Sequence, residues 1–254
     1  MKKVVEVRDV KIGEGIPKIC IPIIGKSEKE ILEQANDLKA VCPDVVEWRA
    51  DFYDNVEDIE KVNHVLENLR KYLPETPILF TFRSEKEGGQ KAISKDYYVQ
   101  LNKQIVATEL VDLIDIELFT GDNVVREIIG FSHEHNVKVI VSNHDFDKTP
   151  PKEEIVYRLR KMQGLGADLP KIAVMPKNQN DVLVLLSATN DMIQNYAKCP
   201  IITMSMAGIG LVSRLSGEVF GSALTFGSVK KASAPGQISA IDLRKIIQIL
   251  HNNI

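Results

Sequence analysis

The sequence has little net charge and few cysteines. Its 254 residues carry 35 acidic and 32 basic side chains, a formal net charge of −3, so the composition does not favour binding to nucleic acid or to an anionic membrane. The three cysteines, Cys20, Cys42 and Cys199, lie far apart and form no Cys-x-x-Cys pair, which argues against a zinc or redox site. We expect reduced thiols and a small molecule as the partner.

Long apolar stretches are also missing. No run of 18 or more apolar residues occurs, and the amino-terminal Met-Lys-Lys is followed by alternating polar and apolar residues instead of an apolar signal core. These features are typical of a protein without a transmembrane helix or a secretory leader. We therefore expect a cytoplasmic location and no membrane partner.

The chain does contain a regular alternation of short apolar strands and amphipathic helices. The pattern predicts eight strands, at residues 18–24, 45–51, 77–83, 111–119, 137–144, 171–175, 201–206 and 222–226. It predicts helices at 28–40, 56–72, 95–108, 123–135, 152–163, 180–196, 212–218 and 238–250. Eight such units predict an α/β fold, a (β/α)8 TIM barrel that forms a single domain over residues 1–254.

The amino-terminal segment precedes the first strand of the barrel. Residues 4–10 and 11–15 alternate in a way that predicts a β-hairpin, with Gly13 and Gly15 supplying the turns. We expect this extension, residues 1–16, to close the bottom of the barrel.

Alternation along the strands indicates which side chains point into the barrel. In residues 45–51 three charged side chains alternate with three apolar ones, Glu47, Arg49 and Asp51 against Val46, Trp48 and Ala50. The outer face of a barrel strand packs on helices, so the charged set is expected inside, near the strand ends where barrel active sites lie. The same pattern puts Arg83, Asp115 and Glu117 inside. These charges could serve catalysis or form structural ion pairs.

Lys171 stands out in an apolar strand. It shares the inward face with Ala173 and Met175, while Ile172 and Val174 face the helices. A buried ammonium is costly, and loss of its proton would leave a nucleophilic amine that can form an imine with a ketone. Strand lysines more often reach water or protect a sheet edge, so this strand alone does not establish catalysis.

His144 ends the strand that precedes the Lys171 strand. Neighbouring strand ends would bring imidazole and amine together, as imine formation followed by proton abstraction requires. Arg83 could hold an anion or a hydroxyl, and Glu87 could orient the histidine. The two glycines after Glu87 permit a tight active-site loop.

Several short motifs, taken together, resemble one enzyme family. They are Glu-Trp-Arg at 47–49, Phe-Thr-Phe-Arg at 80–83, Glu-Gly-Gly at 87–89, Ser-Asn-His-Asp at 142–145, Pro-Lys-Ile-Ala-Val-Met at 170–175, Met-Ser-Met at 204–206, Ser-Arg at 213–214 and Ser-Ala-Pro-Gly-Gln at 233–237. In this order and at these intervals they resemble type I 3-dehydroquinate dehydratases, the Schiff-base enzymes of the shikimate pathway. The resemblance covers essentially the whole chain. It departs at Pro22 and Ala207, where family members often carry serine.

The resemblance implies an activity and a set of site residues. The activity is syn dehydration of 3-dehydroquinate to 3-dehydroshikimate, on the route to chorismate and the aromatic amino acids, without a metal or another cofactor. Lys171 would form the imine, His144 would transfer protons and Glu87 would orient His144. Substrate contacts are implied for Glu47, Arg49, Arg83, Met204, Met206, Arg214, Ser233 and Gln237. Arg214 would bind the substrate carboxylate, residues 233–237 would form a lid, and the chain would be a homodimer.

Two other interpretations of the same residues remain. A class I aldolase or a transaldolase-like lyase shares the barrel and the imine lysine, but it needs a phosphate-binding glycine loop after the last strands. Only Ala-Gly-Ile-Gly at 207–210 offers one. A non-catalytic sugar-acid-binding module could use the same fold, although the presence of Lys171, His144 and Glu87 argues against it.

Overall fold

The computed structural model of the protein describes residues 4–229 and 236–254. Its strands are β1 (Val5–Val7), β2 (Val10–Ile12), β3 (Lys18–Ile23), β4 (Val45–Arg49), β5 (Ile78–Thr81), β6 (Leu113–Glu117), β7 (Lys138–Asp145), β8 (Leu169–Val174), β9 (Ile202–Ser205) and β10 (Leu224–Phe226). Eight of them form one parallel sheet in the order β10-β3-β4-β5-β6-β7-β8-β9. Its two edges meet where the Ala223 N–H donates to the Ile201 carbonyl at 2.8 Å. The predicted barrel is confirmed.

Helices surround the barrel. They are α1 (Glu28–Asp37), α2 (Ile59–Tyr72), α3 (Lys95–Ala107), α4 (Asp122–Glu134), α5 (Lys152–Leu165), α6 (Gln179–Asn195), α7 (Leu211–Leu215), α8 (Gly217–Phe220) and α9 (Ala240–His251). Five of them are preceded by a capping residue whose side chain accepts a hydrogen bond from a backbone N–H of the first turn. These capping residues are Ser27, Asp58, Ser94, Asn178 and Ser239. In the part of the chain that the structure covers, every helix falls short of the length and apolar content that a membrane crossing requires.

Apolar side chains form two layers, one on each face of the sheet. The outer layer, between strands and helices, includes Val46, Trp48 and Ala50, as the alternation predicts. The inner layer joins the first residues of the strands, such as Val45, to the hairpin residue Ile12. The hairpin therefore closes the bottom of the barrel, and the opposite end is left for polar side chains.

Three aspartates determine the register of the strands at the bottom. Each directly precedes an even-numbered strand and accepts a backbone N–H from the strand before it: Asp44 from Ile19 at 2.7 Å, Asp112 from Ile78 at 2.8 Å and Asp168 from Val139 at 2.9 Å. The N–H of each aspartate donates back to the carbonyl of the same residue at 3.0 Å. A slip of one residue would turn every side chain to the opposite face, so these paired bonds also fix which residues point into the barrel.

Two local predictions were wrong. The hairpin turns at Arg8, with φ 50°, and Gly13 and Gly15 lie after its second strand. Arg8 is held in this turn because its guanidinium donates to Asp112 at 2.7 Å and to the Pro74 carbonyl at 2.8 Å.

The second error concerns the helix predicted at residues 212–218. Two short helices, α7 and α8, occupy this region, and the first ends before Ser216. Gly217 then approaches the backbone so closely that an added Cβ would lie 2.7 Å from the Ser222 carbonyl oxygen. A continuous helix with an ordinary side chain at this position does not fit.

Candidate active site

A pocket opens at the carboxyl ends of the barrel strands. Nearly all of the predicted site residues line it: Glu47, Arg49, Arg83, Glu87, His144, Lys171, Met204, Met206, Arg214 and Gln237. Gly88, Phe146, Ala173 and Phe226 complete the wall. The remaining predicted residue, Ser233, lies outside the described residues, as does most of the predicted lid at 233–237.

Lys171 on β8 is 3% exposed and points into this pocket. Its Nζ donates to Asp115 Oδ2 at 3.0 Å, lies 4.0 Å from Glu47 Oε1 and sits 4.6 Å from the centroid of the Phe226 ring. Burial raises the pKa of Asp115, but Arg83 and Lys171 outweigh it and hold that pKa well below its usual range. The amine is therefore buried beside an ionised carboxylate, which offsets the cost of burying its charge.

Arg83 is the centre of a charged network between three strands. Its guanidinium donates to Asp115 at 2.6 Å, to Glu117 at 3.2 Å and to the Ser142 hydroxyl at 2.9 Å. The side chain is only 3% exposed. Asp115 and Glu117, for which the sequence left two roles open, thus take part in ion pairs that hold Arg83.

Arg49 has a similar arrangement at the end of β4. Its Nε and Nη2 form a bidentate pair with the two carboxylate oxygens of Asp51, at 2.8 and 2.9 Å. Substrate contacts by Arg49 and Arg83 stay predictions. Within residues 4–229 and 236–254, no three His, Cys, Asp or Glu side chains form a group that could hold a metal ion.

His144 and Glu87 form a largely buried pair in the same pocket. The Oε2 atom of Glu87 lies 3.0 Å from His144 Nδ1 and accepts the His144 backbone N–H at 2.9 Å. Burial lowers the pKa of His144 well below its usual range, and Arg83 and Lys171 add to this effect. The imidazole is therefore neutral at pH 7 and can act as a base.

The pKa of Glu87 is shifted in the opposite direction, upward. Burial raises its pKa to about 8; the Arg83 guanidinium opposes that rise, and Glu117 adds to it. Near neutral pH the pair therefore lies close to the point at which Glu87 takes up or loses a proton. When Glu87 is ionised and the neutral imidazole carries its one hydrogen on Nδ1, the other ring nitrogen, Nε2, has its lone pair available for a substrate.

Arg214 on α7 brings a positive charge to the wall of the same pocket. It is 2% exposed, its Nη1 lies 3.5 Å from the Met204 sulfur, and burial lowers its pKa to about 10. A pocket that keeps an arginine charged in such surroundings is suited to an anionic ligand, since a carboxylate would form a charge-assisted pair with it.

Two aromatic residues of the pocket were missed by the sequence analysis. The Phe146 ring packs so closely on Gly88 that an added Cβ would clash with it, and Gly88 has φ 84°. Phe226 ends β10 and places its ring beside Lys171. Phe226 could have been predicted, because it lies two residues after Leu224 and therefore on the same inward face of the strand. Phe146 lies beyond the end of its strand, where alternation gives no signal.

Comparison with known proteins agrees with this arrangement. A family model described as type I 3-dehydroquinase matches residues 19–254. The 3-dehydroquinate dehydratase of Clostridioides difficile (strain 630) is 61% identical over 254 residues, which is 100% of both chains. That of Clostridium novyi (strain NT) is 57% identical over 250 residues, 98% of this chain and 99% of the other.

The fold agrees as well. A crystal structure of type I 3-dehydroquinate dehydratase from Clostridium difficile, with covalently modified comenic acid, is similar with a TM-score of 0.98 and 61% identity, covering 100% of each chain. The family model and the full-length relatives together settle the assignment: the chain belongs to the type I 3-dehydroquinase family.

Proposed function

We propose that this chain dehydrates 3-dehydroquinate to 3-dehydroshikimate through an imine on Lys171. The observation that carries the proposal is the buried Lys171 amine in the same pocket as the His144–Glu87 pair. Elimination of water next to a ketone needs an amine to form the imine and a base to remove a proton. Membership of the 3-dehydroquinase family supports the choice of substrate.

Imine formation begins when Lys171 Nζ, after losing a proton, attacks the C3 ketone. Asp115 is a poor acceptor for that proton because its pKa lies well below the usual range. His144, a neutral base in the same pocket, is the better acceptor. Asp115 then remains ionised 3.0 Å from Nζ, where it stabilises the positive charge of the protonated imine.

Elimination uses the protonated imine as an electron sink. His144 Nε2 removes a proton from C2, and the electron pair moves into the imine as an enamine. The electrons then expel the C1 hydroxyl, which takes a proton from His144 and leaves as water. Because one imidazole serves both proton transfers, the hydrogen and the hydroxyl leave from the same face, as a syn elimination requires. Hydrolysis of the imine releases the product.

Substrate binding rests on the groups around this pair. Arg214 is suited to the carboxylate because a planar guanidinium can donate two parallel hydrogen bonds. Glu47 and Gln237 line the pocket and are suited to ring hydroxyls. Met204 and Met206 provide apolar contacts.

Turnover of the substrate tests the proposal. Incubation with 3-dehydroquinate should produce the conjugated enone acid, followed by its ultraviolet absorbance, and Lys171→Ala should abolish its formation. Lys177→Ala, an exposed lysine shortly after the same strand, is the matched control and should be fully active. Unchanged turnover in Lys171→Ala would exclude the imine mechanism, and cleavage of a carbon–carbon bond would favour the aldolase interpretation.

We further propose that the protein is a cytoplasmic homodimer. Exposed apolar side chains support association: Leu183 on α6 is 62% exposed, and Ile209 and Val212, in the segment after β9 that packs near α6, are 45% and 47% exposed. Light scattering should give twice the mass of the chain. A monomer at micromolar concentration would contradict the dimer.

A further inference from the structure

Two polar side chains behind the pocket connect helix α5 to the His144–Glu87 pair. Asn143 precedes His144 on β7, faces the helices and is 3% exposed. Its Nδ2 donates to Glu87 Oε1 at 3.3 Å, and its Oδ1 accepts from Arg158 Nη1 at 2.8 Å. Arg158 lies on α5 and reaches the strand from outside the barrel. The sequence analysis gave no role to either residue.

The contact with Arg158 determines the direction of the Asn143 amide. A guanidinium can only donate hydrogen bonds, so the amide must turn its oxygen to Arg158 and its NH2 group to Glu87. Arg158 is itself held in place: its Nε donates to Glu154 at 2.7 Å, and its guanidinium carbon lies 5.5 Å from the centroid of the Phe119 ring. Without Arg158 the amide could rotate and present its oxygen to Glu87.

The direction of the amide matters because Glu87 lies close to a change of protonation. Burial raises the Glu87 pKa to about 8, while the hydrogen bonds from Asn143 and from the His144 backbone N–H lower it. Both of these donors favour the carboxylate form and therefore favour the shared proton on His144 Nδ1. The charged or titratable groups that act on the pair are Arg83 and Glu117 at Glu87, and Arg83, Lys171, Asp115 and Arg49 at His144.

We propose that Asn143 and Arg158 are positioning residues that keep the shared proton on His144 Nδ1, so that Nε2 stays available as the base. Loss of either contact favours uptake of one proton from solvent by the pair. Glu87 is then protonated and donates to Nδ1, and the neutral imidazole carries its hydrogen on Nε2, which cannot accept the C2 proton. The consequence for turnover rests on the proposed function. The tautomer expected in the substrate-free protein is independent of the proposed function.

Nuclear magnetic resonance of ¹⁵N-histidine-labelled protein tests the proposal without substrate. The signals of His144, one of five histidines in the chain, are assigned by comparison with His144→Gln. The wild type should carry the hydrogen on Nδ1, and Asn143→Ala and Arg158→Met should each shift the population toward the Nε2–H form. Arg158→Lys, which keeps a cationic donor, should restore part of the wild-type population.

Kinetics provide the second readout. Loss of one hydrogen bond in the relay should lower kcat about 3- to 10-fold in Arg158→Met and about 10-fold or more in Asn143→Ala, with little change in KM. Borohydride trapping of ligand on Lys171 should persist in both variants. Arg160→Met is the matched control, because Arg160 lies on the same helix, is exposed and also packs on an aromatic ring, that of Tyr196 at 4.4 Å; its tautomer and kcat should equal those of the wild type.

The outcomes separate this proposal from the proposed function. An unchanged His144 tautomer in folded Asn143→Ala and Arg158→Met protein would overturn the positioning role, whatever the turnover. A shifted tautomer in both variants supports the role even in the case that the wild type does not dehydrate 3-dehydroquinate, a result that would contradict the proposed function alone. A lower melting temperature with a wild-type tautomer would mean that Arg158 only stabilises α5, and it would also overturn the proposal.

Discussion

Arg214→Met should weaken substrate binding without weakening the fold. The guanidinium is 2% exposed, and burial lowers its pKa from its ordinary value to about 10. At pH 7 the side chain is charged in both the folded and the unfolded protein, so this lowering corresponds to a cost of about 3 kcal/mol for keeping the charge in the fold. Replacement by an apolar side chain of similar length removes that cost together with the side chain's own contacts, such as that with Met204, so the melting temperature should change by only a few degrees.

The same substitution should raise KM. A charge-assisted, bidentate pair with the substrate carboxylate contributes about 1.5 to 3 kcal/mol, so KM should rise roughly tenfold to a hundredfold. Arg83 lines the same pocket but already donates to Asp115, Glu117 and Ser142, so it should compensate only in part. Arg214→Lys should restore binding only in part, since an ammonium supplies charge without two parallel donors.

Steady-state kinetics and thermal unfolding of the same preparations show whether Arg214 serves substrate binding or the stability of the fold. Arg126→Met, which removes an exposed arginine on α4, is the control and should change neither KM nor melting temperature. A normal KM in Arg214→Met together with a melting temperature many degrees lower would refute the reasoning. Arg214 would then be a structural residue, and another group would have to bind the carboxylate.

Three further predictions follow from the site. His144→Ala should still trap ligand on Lys171 while turnover falls about 10²- to 10⁴-fold; retained turnover would contradict its role as the base. Asp115→Asn should lower the free energy of unfolding by about 3 to 5 kcal/mol, because buried cations lose their partner. Since the folded pKa of Asp115 is depressed, its contribution is present above the unfolded value of about 4 and is lost at lower pH, so urea unfolding of the variant should depend less on acid than that of the wild type. EDTA should leave activity unchanged, and recovery of lost activity by added zinc or magnesium would contradict a metal-free mechanism.

Much of the fold could be predicted because local patterns determine it. Alternation along the strands correctly separated Glu47 and Lys171 from the residues that face the helices, and the apolar runs predicted all eight strands of the barrel. The turn at Arg8 could not be predicted, since its conformation depends on Asp112, which lies 104 residues away in the chain.

The candidate site was predictable to the extent that its residues lie on strands or in recognisable motifs. The pairing of Lys171 with Asp115 joins residues 56 positions apart and depends on how the strands are ordered around the barrel. Arg158 gave no signal at all, because its helix shows only an amphipathic pattern and its partner Asn143 faces outward from the strand. Such contacts are set by the packing of helix on sheet, which a single sequence does not encode in any local period.

The central claim is that Lys171 forms an imine with 3-dehydroquinate, and borohydride reduction followed by peptide mass spectrometry tests it most directly. Reduction fixes an imine as a stable secondary amine, so the wild-type protein should gain the mass of one reduced ligand, located on the peptide that contains Lys171. Lys171→Ala should gain none, while Lys177→Ala should behave as the wild type. Adduct mass on a different lysine, or no adduct in protein that still produces 3-dehydroshikimate, would contradict the account.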